Sequence, residues 1–134
     1  MDGGKVLIVT SLLENEGKSS VAVNLALAME QKGKRVLLID CDLRKPACGM
    51  VMGQSKFTYG LNDILGGKEN LSDCFLRYQN SDMYMLLAKR GEQNTGDLLI
   101  SPRMNTLLDW ARECFDFIVL DLPPMSAASD AEGM

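Results

Sequence analysis

The chain has 134 residues, 46% apolar and 24% charged, with a net charge of −4. This suits one domain, residues 1–134, with a buried core, and speaks against nucleic-acid binding, which calls for a basic face. There is no histidine, which excludes serine–histidine triads, imidazole bases and histidine-ligated zinc.

Lys5 to Thr10, "KVLIVT", is an almost unbroken β-branched and leucine run. It reads as a strand buried on both faces. Ser11 to Ser20, "SLLENEGKSS", follows, and Ser19 to Gly33 reads as a helix. Val21, Leu25 and Ala28 or Met29 form its apolar stripe, and Gly33 is its stop. Arg35 to Asp40, "RVLLID", is a second buried strand. The opening is therefore β-loop-α-β, a right-handed crossover that implies a parallel sheet.

The middle is less regular. Gly60 to Gly66 reads as a short helix, Asn70 to Tyr78 as another, and Met83 to Ala88 as a third strand. Asp97 to Cys114 reads as a helix with Leu107, Leu108 and Ala111 inward. Asp116 to Asp121, "DFIVLD", is a fourth buried strand. A buried strand and its loop should feed a further helix and strand, so the domain is expected to be truncated after this strand; a compact four-strand protein is the competing view. No apolar run is long enough to cross a bilayer as a helix. The cysteines Cys41, Cys48, Cys74 and Cys114 lack C-x-x-C spacing and read as free thiols of a reducing compartment.

Three stretches carry chemistry. The loop after the first strand ends Gly17-Lys18-Ser19, like a phosphate-binding loop. Its first glycine position holds Leu12, however, and Asn15 stands where many such loops have a second glycine. A loop leaving a buried strand for a helix aims N–H groups and the helix dipole at one spot. Gly17 lets the backbone approach an oxygen, Lys18 suits the β- and γ-phosphates, and the Ser19 hydroxyl suits Mg²⁺. The plain alternative is an amphipathic helix start. The second stretch is "VLLIDCDLRKP", with Asp40 and Asp42 at the end of a strand, where ligands bind in open α/β sheets. Two carboxylates beside a triphosphate suit Mg²⁺; a strand-end turn capped by Asp is the plain alternative. The third is "FIVLDLPP", with Asp121 ending a strand on the same edge if all strands are parallel.

These stretches resemble the Walker A, A′ and B motifs of bacterial tyrosine kinases of capsule and exopolysaccharide synthesis, which share a P-loop fold with the MinD/ParA class. The family loop commonly reads "S-x-P-G-E-G-K-S-T", so a missing first glycine is ordinary there. Asp40-Cys41-Asp42-Leu43-Arg44-Lys45-Pro46 is the most specific match. Phe117 to Pro124 and "SDA" at Ser129 to Ala131 match the third motif. The resemblance covers essentially the whole chain, although the family's C-terminal tyrosine cluster and N-terminal assembly segment are missing.

The resemblance implies a three-layer α/β/α P-loop fold and an ATP- and Mg²⁺-dependent protein-tyrosine autokinase. It implies Glu16, Gly17, Lys18, Ser19, Ser20 and Arg44 at the nucleotide, Ser19, Asp42 and Asp121 at Mg²⁺, and Lys18, Asp40 and Asp42 in catalysis. One of the A′ acids would assist Mg²⁺ and the other orient or deprotonate a tyrosine hydroxyl. Arg44 and Lys45 would stabilise transferring charge or meet a neighbouring subunit; a solvated surface pair is the other reading. The implied partners are a membrane-embedded activator of the polysaccharide co-polymerase type, further copies of the chain, and tyrosine substrates in trans. The implied location is the cytoplasm, at the inner face of the membrane. A MinD/ParA-like ATPase switch and a non-catalytic nucleotide-binding module are the rival readings.

Overall fold

The computed structural model describes residues 3–9, 18–43, 46–53, 57, 59–67, 74–79, 81–89 and 100–123. Its strands are β1 (Lys5–Val9), β2 (Val36–Asp40), β3 (Leu76–Arg77), β4 (Met83–Leu86) and β5 (Phe117–Asp121). Its helices are α1 (Lys18–Gln31), α2 (Cys48–Val51), α3 (Leu61–Leu65) and α4 (Pro102–Cys114). The strands form one sheet in the order β1-β5-β2-β4-β3. β1, β5, β2 and β4 run parallel, and β3 pairs antiparallel with β4.

Strand alternation divides the core in two. Val36 and Leu38 of β2, Met83 and Met85 of β4 and Val119 of β5 pack with Ala22, Val23 and Ala26 of α1 and with Cys48 of α2. Leu37, Ile39, Leu86, Ile118 and Leu120 point the other way, onto Leu61, Ile64 and Leu65 of α3 and Met104, Leu107 and Ala111 of α4. The sheet thus lies between two helical layers, the expected three-layer arrangement. β2 is fully buried along its length, which explains its unbroken apolar sequence.

Three local readings are corrected. β1 lies at the end of the strand order, and Val6 and Ile8 are exposed, Ile8 at 60%. Its apolar run is therefore not buried on both faces. α1 is rotated from the expected stripe: Val21 is exposed, while Ala22, Val23 and Ala26 are buried. Apolar residues nearly encircle this helix, so spacing alone cannot select a face. Finally, Leu76 and Arg77 belong to a strand, not to a helix reaching Tyr78. They turn back on β4 through Gln79, which has φ 52°. Residues 70–73 of that expected helix, and 97–99 of the expected start of α4, lie outside the described residues.

The helix boundaries have local causes. Gly33, at φ 83°, lies just beyond α1 in the left-handed conformation expected of a helix stop. α4 begins with Pro102 at its first turn, where a missing N–H costs nothing. α3 is tied to the end of β4. Asn62 Nδ2 donates to the Lys89 carbonyl at 2.7 Å, and the Lys89 N–H donates to Asn62 Oδ1 at 2.7 Å. Asp63 accepts the Gly60 N–H at 2.9 Å and pairs with Lys89 at 3.1 Å.

Candidate functional site

The parallel register builds the site. Asp40 of β2 is the direct partner of Asp121 of β5. In-register residues of neighbouring parallel strands project from the same face. Asp40 shares the parity of Val36 and Leu38, and Asp121 that of Val119. Both acids therefore face the α1–α2 layer at the C-terminal edge of the sheet. The three strand ends are laced together there: the Cys41 N–H donates to the Asp121 carbonyl and the Leu122 N–H to the Val9 carbonyl, each at 2.9 Å.

α1 enters from the same edge. Ser19, Ala22, Val23 and Ala26 follow i, i+3, i+4, i+7 spacing, so the rotation that buries the small residues also turns Ser19 toward the sheet. The half-buried Ser19 hydroxyl donates to Asp121 Oδ2 at 2.7 Å, across 102 residues of sequence. A second donor to the same oxygen is the Cys48 thiol at the start of α2, at 3.1 Å. From the sequence, Cys48 reads only as a free thiol. No spacing signal ties it to Asp121, because their contact depends on how α2 docks.

Asp40 is fully buried and its carboxylate is heavily engaged. Oδ1 accepts the Asp42 N–H at 3.0 Å. Oδ2 accepts the Ala47 and Cys48 N–H groups at 3.1 and 3.2 Å. One side chain therefore holds both ends of the segment between β2 and α2. This is the Asp-capped turn of the plain alternative, built within the candidate site. Asp42, 6% exposed, lies two residues past β2 at the same edge.

Among the other expected site residues, Lys18 opens α1 and Ser20 is exposed in its first turn. Glu16, Gly17 and Arg44 lie outside the described residues, as does Lys45. The structure thus brings Ser19, Asp40, Asp121 and the unforeseen Cys48 together. Ser19 and Asp121 fit Mg²⁺, which takes oxygen ligands from few side chains and the rest from phosphates and water.

Residues 5–131 match the family described as AAA domain. Over 126 residues the chain is 36% identical to tyrosine-protein kinase wzc of Salmonella typhi, covering 94% of this chain and 17% of that protein. Over 128 residues it is 34% identical to tyrosine-protein kinase YwqD of Bacillus subtilis, covering 96% of this chain and 54% of that protein. The crystal structure of the VpsO kinase domain superposes with a TM-score of 0.87 at 38% identity, covering 96% of this chain and 63% of that one. The chain thus spans between about a sixth and two thirds of the length of these similar proteins.

Proposed function

The chain belongs to this AAA domain family, and we propose that it is the nucleotide-binding part of an ATP-dependent protein-tyrosine autokinase that regulates capsular or exopolysaccharide polymerisation and export. The observation that carries this reading is the Ser19–Asp121 hydrogen bond. It joins the serine in the first turn of α1 to the acid that ends β5, a hydroxyl and a carboxylate that suit Mg²⁺ beside a nucleotide. The tyrosine-kinase relatives direct the nucleotide reading toward phosphoryl transfer.

Bound Mg²⁺–ATP would supply the transferable phosphoryl group and neutralise its charge. Glu16, Gly17, Lys18, Ser19, Ser20 and Arg44 bind nucleotide, the helix N-terminus of α1 favouring negative charge there. Ser19 and Asp121 hold the metal. Asp42, next to the buried Asp40 turn, orients the tyrosine hydroxyl and accepts its proton. Asp40 acts mainly by fixing the turn that presents Asp42.

The partners proposed are a membrane-embedded activator of the polysaccharide co-polymerase type, further copies of the chain, and tyrosine substrates in trans. The location proposed is the cytoplasm, at the inner face of the membrane. Among the described residues, no helix is long and apolar enough to cross a membrane. The net charge of −4 agrees with a proposal that includes no nucleic acid.

The test is a calorimetric titration with Mg²⁺–ADP, followed by phosphotyrosine immunoblotting after incubation with ATP. Wild-type binding should fall at least about 100-fold in Lys18→Met, because one charged phosphate contact is lost. Equal affinity in the two proteins would refute the site. Nucleotide-driven dimers without any phosphotyrosine would instead favour the ATPase-switch reading.

A further inference from the structure

We propose that Asp40, Cys48 and Asp121 form a site for a thiophilic divalent cation, with Zn²⁺ as the biological ion and Cd²⁺ as its probe. One ligand atom from each residue lies within 4.8 Å of the other two, and all three residues are buried. The closest pair is Cys48 Sγ and Asp121 Oδ2 at 3.1 Å. In tetrahedral zinc, sulfur and oxygen ligands stand about 3.6 Å apart, given bond lengths of about 2.3 and 2.1 Å. A shift of about half an ångström therefore converts this hydrogen-bonded pair into a ligand pair.

The three ligands come from three separately anchored elements: the end of β2, the start of α2 and the end of β5. Asp40 is oriented by its three backbone N–H donors. Asp121 is oriented by sheet register and the Ser19 hydroxyl. Anchoring of this kind orients ligands before the ion arrives. Sulfur makes the site selective. Mg²⁺ takes oxygen ligands in near-octahedral geometry, whereas a thiolate favours zinc and softer ions. On binding, the Cys48 S–H bond is replaced by a sulfur–metal bond, and the proton passes to water. Two carboxylates and one thiolate leave the bound site at net −1, with a fourth position for water.

Asp121 also belongs to the Mg²⁺ site proposed above. If that reading holds, the soft cation and Mg²⁺–nucleotide exclude one another, and the chain is inhibited by zinc through a thiol.

The test is a Cd²⁺ titration of the whole chain without nucleotide, following the ultraviolet thiolate-to-cadmium charge-transfer band. Wild type should saturate at one ion per chain, as should Cys41→Ser and Cys114→Ser. Cys48→Ser should lose the band while keeping its circular dichroism spectrum. Asp121→Asn should weaken Cd²⁺ binding at least tenfold. A wild type with no band, a band that survives Cys48→Ser, or undiminished affinity in Asp121→Asn would each overturn the site; the Asp121→Asn measurement decides if Cys48→Ser fails to fold. Zn²⁺ should raise the apparent Kd for Mg²⁺–ADP in wild type but not in Cys48→Ser. A Cys48-dependent band in a chain that binds no Mg²⁺–ADP would support the metal site and sink only the nucleotide reading.

Discussion

Asp40 and Asp121 share a strand register and a sheet edge but have different work. Asp121 Oδ2 accepts two side-chain donors, Ser19 and Cys48, and these are groups that a ligand can displace or enlist. Asp40 instead serves three backbone N–H groups. Removing its carboxylate strands three donors in or near the core, each costing about 1–3 kcal/mol when left unsatisfied. Asp40→Ala should therefore destabilise the fold by roughly 3 kcal/mol or more, read by urea denaturation. Asp40→Asn, which keeps one acceptor oxygen, should lose less. Wild-type stability in Asp40→Ala would mean that the carboxylate does not hold the turn. By apolar patterning alone the two acids look alike, each a polar residue closing an apolar run. Only their hydrogen-bond partners tell the acid that holds the turn from the acid that receives side-chain donors.

At the level of elements, the approach of α3 to β4 leaves no room at Gly60. A methyl group there would lie 2.3 Å from the Leu87 carbonyl oxygen and 2.9 Å from a ring carbon of Phe57. That carbonyl also accepts the Leu61 N–H at 2.8 Å. Gly60→Ala should cost roughly 1–3 kcal/mol, the usual scale for overpacking. Thermal unfolding followed by the fluorescence of Trp110, the single tryptophan, would measure it. This indole stacks on Phe75 at 5.2 Å and meets Phe115 edge-on at 6.0 Å, so its emission reports on the α4 side of the sheet. An unchanged midpoint would show that the loop relaxes without cost. The α1 helix shows what spacing can and cannot do. Its extent and its Gly33 stop are legible from local propensity. Its buried face is not, because Val21, Ala22, Val23, Leu25, Ala26, Leu27, Ala28 and Met29 offer several stripes. Small side chains decide the matter: Ala22 and Ala26 let the helix lie close against Leu38 and Val119 of the sheet.

For the whole molecule, the order β1-β5-β2-β4-β3 places the core around β5, β2 and β4 and leaves β1 at one end. Stability should follow that order rather than hydrophobicity. Leu38→Ala removes a fully buried side chain of β2 and should cost about 2–5 kcal/mol. Ile8→Thr, on the 60% exposed position of β1, should change stability by no more than about 0.5 kcal/mol. Comparable losses in urea denaturation would mean that Ile8 is covered in solution.

The sequence by itself determined the alternation of strands and helices, the phosphate-loop signature at a strand–helix junction, and the acids at strand ends. These features depend on residues within a few positions of each other, through side-chain period, turn chemistry and backbone propensity. The tertiary structure decided that β1 is an edge, that α1 turns Ser19 to Asp121, and that Cys48 joins Asp40 and Asp121. The Ser19 contact spans 102 residues and the Cys48 contact 73. Such meetings follow from strand order and helix docking, which are set by the packing of the whole sheet and leave no local periodicity to read.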